Sequence, residues 1–258
     1  MVKATKQVEK SKKIISIMLK IVKQMILRQF STKSVGRPKK TQIISNIVKN
    51  TCISNNKSFD NNENKNLTNK YFSDEIIKCQ KILQTKNDLY CGVLDSIEHG
   101  TTNVLIEKGF SIKNIIMPEK NNNIFKQHKT FGIKNAFNGS LEEYSHNINK
   151  KKHCIGWYFD TCGTISTQQY GIINVVKNTS FSNEAILAFT FCKRGRNKGD
   201  EYEKLKKIFL GKLQKILKSK KFIVKKKILD HNYSGNKMSI NIRGIQMNTI
   251  IFKIQKKY

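Results

Sequence analysis

Residues 221–256 read KFIVKKKILDHNYSGNKMSINIRGIQMNTIIFKIQK, and this stretch decides the fold. It holds two strand patterns, at 221–229 and near 246–256, each rich in Ile, Val and Phe. A turn region around Ser234-Gly235-Asn236 separates them, and no helical periodicity intervenes. Two strands joined without a helix pair antiparallel, because a parallel connection needs a long crossover. The predicted chain therefore closes in a β-hairpin.

Upstream the pattern changes. Strand patterns at 88–95, 113–118, 134–138, 153–160 and 184–192 alternate with helix patterns at 73–84, 101–109, 121–131, 140–147, 165–177 and 199–219. Ser73 caps the first helix, and Ser140 caps the fourth with Glu142 and Glu143 in its first turn. Strands that each precede a helix argue a parallel α/β sheet with helices on both faces. With the hairpin added, the expectation is a seven-stranded, mostly parallel sheet ending in an antiparallel pair.

The 258 residues carry 49 Lys+Arg against 18 Asp+Glu, and 38% are hydrophobic, enough for a packed core and too many for a wholly disordered polybasic chain. No 18-residue apolar run is free of charge, so no membrane span is expected. Cys52, Cys79, Cys91, Cys154, Cys162 and Cys192 are scattered, with no pair at metal-ligand spacing. They read as thiols in a reducing, intracellular compartment. His99, His128, His146, His153 and His231 form no triad or metal pattern along the chain.

Charge is unevenly spread. Residues 1–60 hold 14 basic and 2 acidic side chains, residues 61–192 hold 15 and 12, and residues 193–258 hold 20 and 4. Uniform codon drift toward Lys would not spare the middle. Cationic ends point to a polyanion, DNA or RNA, held by phosphate contacts; the competing reading is a pair of solvated ends. Residues 1–70 read as a basic, largely disordered tail. Within it, residues 14–30 form an acid-free amphipathic helix pattern followed by hydroxyl residues. That pattern resembles a mitochondrial transit peptide, and equally suits a helix docked on the domain. Residues 35–40, Val35-Gly36-Arg37-Pro38-Lys39-Lys40, resemble the Gly-Arg-Pro core of an AT-hook. Such a segment would place Arg37, flanked by Lys39 and Lys40, in a narrow A·T minor groove of nuclear or mitochondrial DNA. The Asn-rich stretch 51–70 reads as a linker, which sets the domain boundary at residue 71.

The seven-strand order with its terminal hairpin resembles the class I S-adenosylmethionine-dependent methyltransferase fold over residues 73–258. The resemblance implies S-adenosylmethionine as cofactor, bound beyond the carboxyl ends of the strands. The first strand ends in Asp95 and is followed by a turn containing Gly100, where the family places an acid and a glycine-rich loop against the methionine part. The family's further glycines are missing. Glu119 ends the second strand where the family has an acid for the ribose hydroxyls, and Asn138 follows the third at the adenine position. The fourth ends Asp160-Thr161-Cys162-Gly163-Thr164, at the family's acceptor loop, which implies Asp160 and Cys162 as acceptor-site residues. No proline stands there, unlike the Pro-Pro loop of base amino-methyltransferases or the Pro-Cys of C5-cytosine enzymes. Lys193, Arg194 and Arg196 follow the fifth strand on the same rim and suit phosphate contacts. Two functions follow: a nucleic-acid methyltransferase, or a non-catalytic nucleic-acid-binding protein that keeps the fold and has lost its cofactor loop.

Overall fold

The computed structural model describes residues 63–83, 89–161, 163–194, 199–234 and 246–257. The stretches 14–30 and 35–40, with Arg37, Lys39 and Lys40, lie outside them, as do Cys162 and Arg196.

The chain order is α1 (Glu63–Leu83), β1 (Leu89–Val93), α2 (Gly100–Glu107), a 3-10 turn (Ile112–Asn114), β2 (Ile115–Glu119), α3 (Asn122–Phe131), β3 (Asn135–Asn138), α4 (Leu141–His146), β4 (His153–Asp160), α5 (Ile165–Asn178), β5 (Ser180–Lys193), α6 (Gly199–Ser219), β6 (Phe222–Ser234) and β7 (Gln246–Lys256). Seven strands make one sheet in the order β3-β2-β1-β4-β5-β7-β6. β1 to β5 run parallel, and β7 lies antiparallel between β5 and β6. The expected architecture is present, hairpin included.

Two core layers flank the sheet. On one face Trp157, Phe159, Phe189 and Phe191 pack against Ile172, Val176, Phe209 and Leu213 of α5 and α6. On the other, Tyr158, Ile186 and Ala188 meet Phe72 and Ile76 of α1 and Leu105 of α2. A central strand buried on both faces reads as one apolar run, which is why CIGWYF in β4 shows no alternation. The indole of Trp157 lies flat over Gly92 of the neighbouring strand, where a Cβ would fall 2.1 Å from a ring carbon. Only glycine fits beneath that ring.

One edge of the sheet is formed by β6. Lys225, Lys226 and Lys227 are exposed there, and the register shifts twice, between Val224 and Lys226 and between Lys227 and Leu229. Charged side chains and bulges discourage strand addition at an edge. No helix among the described residues is long and apolar enough to cross a membrane.

Three boundaries differ most from expectation. β5 begins four residues earlier, at Ser180, and β6 continues to Ser234. More consequentially, α1 starts at Glu63, so residues 63–70 are helix and not linker. Lys65, Thr68, Asn69, Phe72, Ser73, Ile76 and Cys79 recur at helical spacing and are buried. The first three are polar, and they hide the period from a reading based on hydrophobicity.

Candidate active site

The strand order reverses between β1 and β4, with β2 and β3 on one side and β5 on the other. Ligands of open α/β sheets sit at such a switch point, beyond the carboxyl ends. A cleft of about 560 Å³ lies there, within the range of small-molecule sites. Asp95, Glu119, Asp160 and Arg194 all line it. A smaller cavity of about 150 Å³ beside Asn135, Phe137 and Tyr144 has no carboxylate in its lining.

Asp95 follows β1 and is buried. Its Oδ1 accepts from the Thr101 amide at 3.2 Å and its Oδ2 from the Thr102 amide at 2.7 Å. The carboxylate thus satisfies two N–H groups at the start of α2 and complements the positive end of that helix. Gly100 is the first residue of α2 and is not part of the cleft lining.

In place of further glycines the turn uses His99. Its φ of 53° is left-handed, a conformation that costs a Cβ-bearing residue roughly 1 kcal/mol. The side chain offsets that strain. The imidazole stacks on Phe131 with centroids 3.9 Å apart, and its Nε2 lies 2.8 Å from Nδ1 of the buried His128. Burial lowers the pKa of both rings, that of His128 to about 4, against a smaller opposing pull from Asp95. Both are therefore neutral at pH 7. The two histidines, unrelated along the sequence, are one packed pair.

Glu119 ends β2 and accepts from the Asn121 amide through Oε1 at 2.6 Å. Burial raises its carboxyl above the ordinary range, against the pull of nearby amides and Lys120. Asn138 is exposed at the end of β3, and its amide donates weakly to Asn122 Oδ1 at 3.4 Å. The cleft wall is formed instead by its neighbours Gly139 and Ser140. Ser140 and Glu143 cap α4 reciprocally, as their spacing predicts.

Asp160 ends β4 and forms an ion pair with Lys65, which reaches in from α1. Lys65 is almost fully buried and lies over the Tyr158 ring, 5.0 Å from its centroid. Beneath it, a chain of buried hydroxyls runs from Thr68 to Tyr158 (3.2 Å), Thr190 (3.2 Å) and Thr249 (2.7 Å). The backbone after β4 is fixed by Thr161, whose hydroxyl donates to the Thr190 carbonyl at 2.9 Å. Lys65 is a cleft-lining residue that the sequence pattern does not single out. Its signal is the polar helical stripe described above.

The far wall holds Thr167, Gln168, Arg194, Tyr233 and Met247. Lys193 turns elsewhere, donating to Asn232 Oδ1 at 3.1 Å and lying 4.6 Å from the Tyr202 ring centroid. Among the described residues no cluster of His, Cys, Asp or Glu could hold a metal ion. Cys79, Cys91, Cys154 and Cys192 are free and buried, and burial raises each thiol's pKa.

This sheet order, with its inserted antiparallel strand, defines the class I S-adenosylmethionine-dependent methyltransferase fold. An O-methyltransferase from Bacillus cereus in complex with SAH shares it, with a TM-score of 0.51 at 11% identity over 86% of this chain and 94% of that one. NSun6 from Pyrococcus horikoshii, solved with SFG, gives 0.42 at 12% identity over 73% of this chain; the chain spans only 52% of that protein's length. The fibrillarin pre-rRNA processing protein of Methanococcus jannaschii gives 0.39 at 12% identity, over 67% and 69%. No family model matches the chain, and no curated protein matches it. At these identities the likeness is one of fold.

Proposed function

We propose that the chain is an S-adenosylmethionine-dependent methyltransferase acting on nucleic acid. One observation carries this reading: strand-end acids Asp95, Glu119 and Asp160 line a single cleft at the switch point of a methyltransferase fold.

The residues fit such a cofactor. Glu119 keeps acceptor capacity beyond its one amide bond and suits the two hydroxyls of a ribose. Gly139 and Ser140 offer backbone beside it for a purine ring. Asp95 shapes the turn that faces the methionine end. When bound, the cofactor supplies an electrophilic methyl group on sulfonium sulfur. The protein's own part is to seat the acceptor in line with that methyl, which is catalysis by positioning. Asp160, oriented by Lys65, accepts a hydrogen bond from the N–H or O–H of the acceptor, and its carboxylate is placed to take the proton released on transfer. Arg194, with the cationic ends, supports a phosphate-bearing acceptor.

A second reading, a non-catalytic nucleic-acid-binding protein, is favoured by one detail: both Asp95 oxygens are already engaged by the turn itself. Calorimetry with S-adenosylmethionine separates the two. The enzyme reading expects one site, weakened about tenfold or more by Glu119→Ala, the loss of roughly one good hydrogen bond. Asp160→Asn should retain binding and lose transfer to RNA or DNA. Absence of binding by the parent leaves the second reading.

A further inference from the structure

The parallel strands begin at the edge of the sheet opposite the cleft. There the chain before β4, the ends of α5 and α6, the start of β6 and the end of β7 meet. Lys220 Nζ donates to the Lys177 carbonyl at 3.0 Å, closing the end of α6 onto the end of α5. The Lys257 amide donates to the Lys221 carbonyl at 2.7 Å, tying the chain after β7 to the residue before β6. Lys150 is close enough to repel Lys220, whose pKa is lowered first by burial and then by that neighbour. Lys151 and Lys256 are exposed beside them.

Acids are sparse in the segments that form this edge. Residues 161–183, 204–229 and 246–258 contain neither Asp nor Glu. Glu184, the acid of β5, is taken by Lys253 at 2.7 Å and Lys225 at 3.5 Å. Helix dipoles account for Lys177, Lys218 and Lys220, which sit at the negative ends of α5 and α6. They do not account for Lys150, Lys151, Lys221, Lys256 and Lys257. Lys221 moreover occupies a left-handed backbone position (φ 60°), where glycine would be cheaper. Like charges gathered without an ion-pair partner among the described residues raise the energy of the free protein, and an anion relieves it.

We propose that this edge is a docking face for the phosphate backbone of a nucleic acid, separate from the cleft. The proposal rests on the nucleic-acid part of the function proposed above. The eight residues of β4 set the two sites roughly 25 Å apart, at about 3.3 Å per residue. A mononucleotide cannot reach both. A polymer can be anchored at this edge while its acceptor group enters the cleft, or while a neighbouring strand does so. Anchoring of this kind reads charge and shape and leaves sequence unread.

The test uses the full chain and fluorescently labelled 20-base-pair duplexes, one of RNA and one of DNA, each of mixed sequence. The variant is Lys150→Glu/Lys151→Glu/Lys256→Glu/Lys257→Glu. The control, Lys70→Glu/Lys126→Glu/Lys204→Glu/Lys207→Glu, makes the same change in net charge at exposed lysines away from the edge where the strands begin. Anisotropy should show the variant losing about tenfold or more in affinity at 0.1 M salt. Its slope of log affinity against log salt should be shallower by about 3, near the limit for four phosphate contacts. The control should change less than about threefold, and S-adenosylmethionine affinity should not change in either. Equal loss in variant and control, or no loss in the variant, overturns the docking face and leaves the nucleic-acid reading standing. If the variant instead loses binding to phosphatidylserine vesicles and keeps its duplex affinity, the face belongs to a membrane and the proposal fails. A parent that binds neither duplex removes the nucleic-acid reading, and the docking face with it. Photo-cross-linking of the unaltered protein to thiouridine RNA avoids substitution altogether. Adducts on peptides holding residues 150–152 or 256–257 support the face, and adducts confined to other peptides overturn it.

Discussion

Two turns of the cleft begin alike and are built differently. After β1, as after β4, a buried strand delivers an aspartate to the carboxyl edge of the sheet. Asp95 is satisfied six and seven residues further on, by the amides of Thr101 and Thr102. Asp160 is satisfied by Lys65, ninety-five positions earlier and on another element. The first carboxylate closes its own turn and is architecture. The second depends on a side chain that only the tertiary fold supplies, and it is the one to which the proposed function gives the acceptor. An identical residue at an equivalent place thus does different work according to how far away its partner lies.

The largest test of that contrast is Lys65→Ala. It leaves Asp160, which is 17% exposed at the cleft, without its cation. With water able to reach the carboxylate, the loss should fall at the low end for a buried pair, about 3 kcal/mol. Urea unfolding should show that loss, while Lys65→Met combined with Asp160→Asn recovers part of it. A double variant as unstable as the sum of its parts would mean the two side chains are not coupled.

The β1 turn should answer to pH instead. His99 and His128 are neutral when folded, with His128 lowered to about 4, against about 6.5 when unfolded. The unfolded chain therefore binds more protons between those values, and stability is lost as pH falls from about 6.5 toward 4. Above 6.5 the pair adds no pH dependence. The drop for His128 is about 3 kcal/mol across the window. Thermal midpoints of the parent and of His128→Phe, followed from pH 7.5 to 4.5, should converge as the pH falls. Parallel curves would show that the pair takes no part.

The smallest effect is expected for Asp95→Ala. Two amides at the start of α2 lose a charged acceptor and can turn to water in the cleft, so the cost should be about 2 kcal/mol. S-adenosylmethionine affinity should fall along with stability. A large loss of affinity at unchanged stability would show that Asp95 touches the cofactor directly.

The same contrast explains what the sequence revealed. Strand–helix alternation exposed the sheet because each element carried its own period, as in β4 and in the hairpin of β6 and β7. Asp95, Glu119, Asp160 and Arg194 were legible because a strand's end can be located without knowing its neighbours. Lys65 was not, since its helical face is written in Lys, Thr and Asn, and its partner is visible only in three dimensions. His99 and His128 escaped for the same reason: twenty-nine residues separate them, and burial alone makes them a pair. Asn138 shows the converse, standing outside the cleft lining while Gly139 and Ser140 form its wall. Its position at the end of β3 was read correctly, but a strand end does not say which way a side chain turns.

Finally, the indole of Trp157 resting on Gly92 orders the mutational paths open to this chain. Any first step at position 92 meets the ring, since even alanine forces a shift of the kind that costs about 1–3 kcal/mol or more. A first step at 157 to a smaller residue opens a cavity in the most densely aromatic layer of the core. Each residue is thus the obstacle to changing the other first. The double variant Gly92→Ala/Trp157→Leu is tolerated better than its two halves predict. Substitutions at these positions are expected to travel in pairs, even though β1 and β4 lie far apart along the chain.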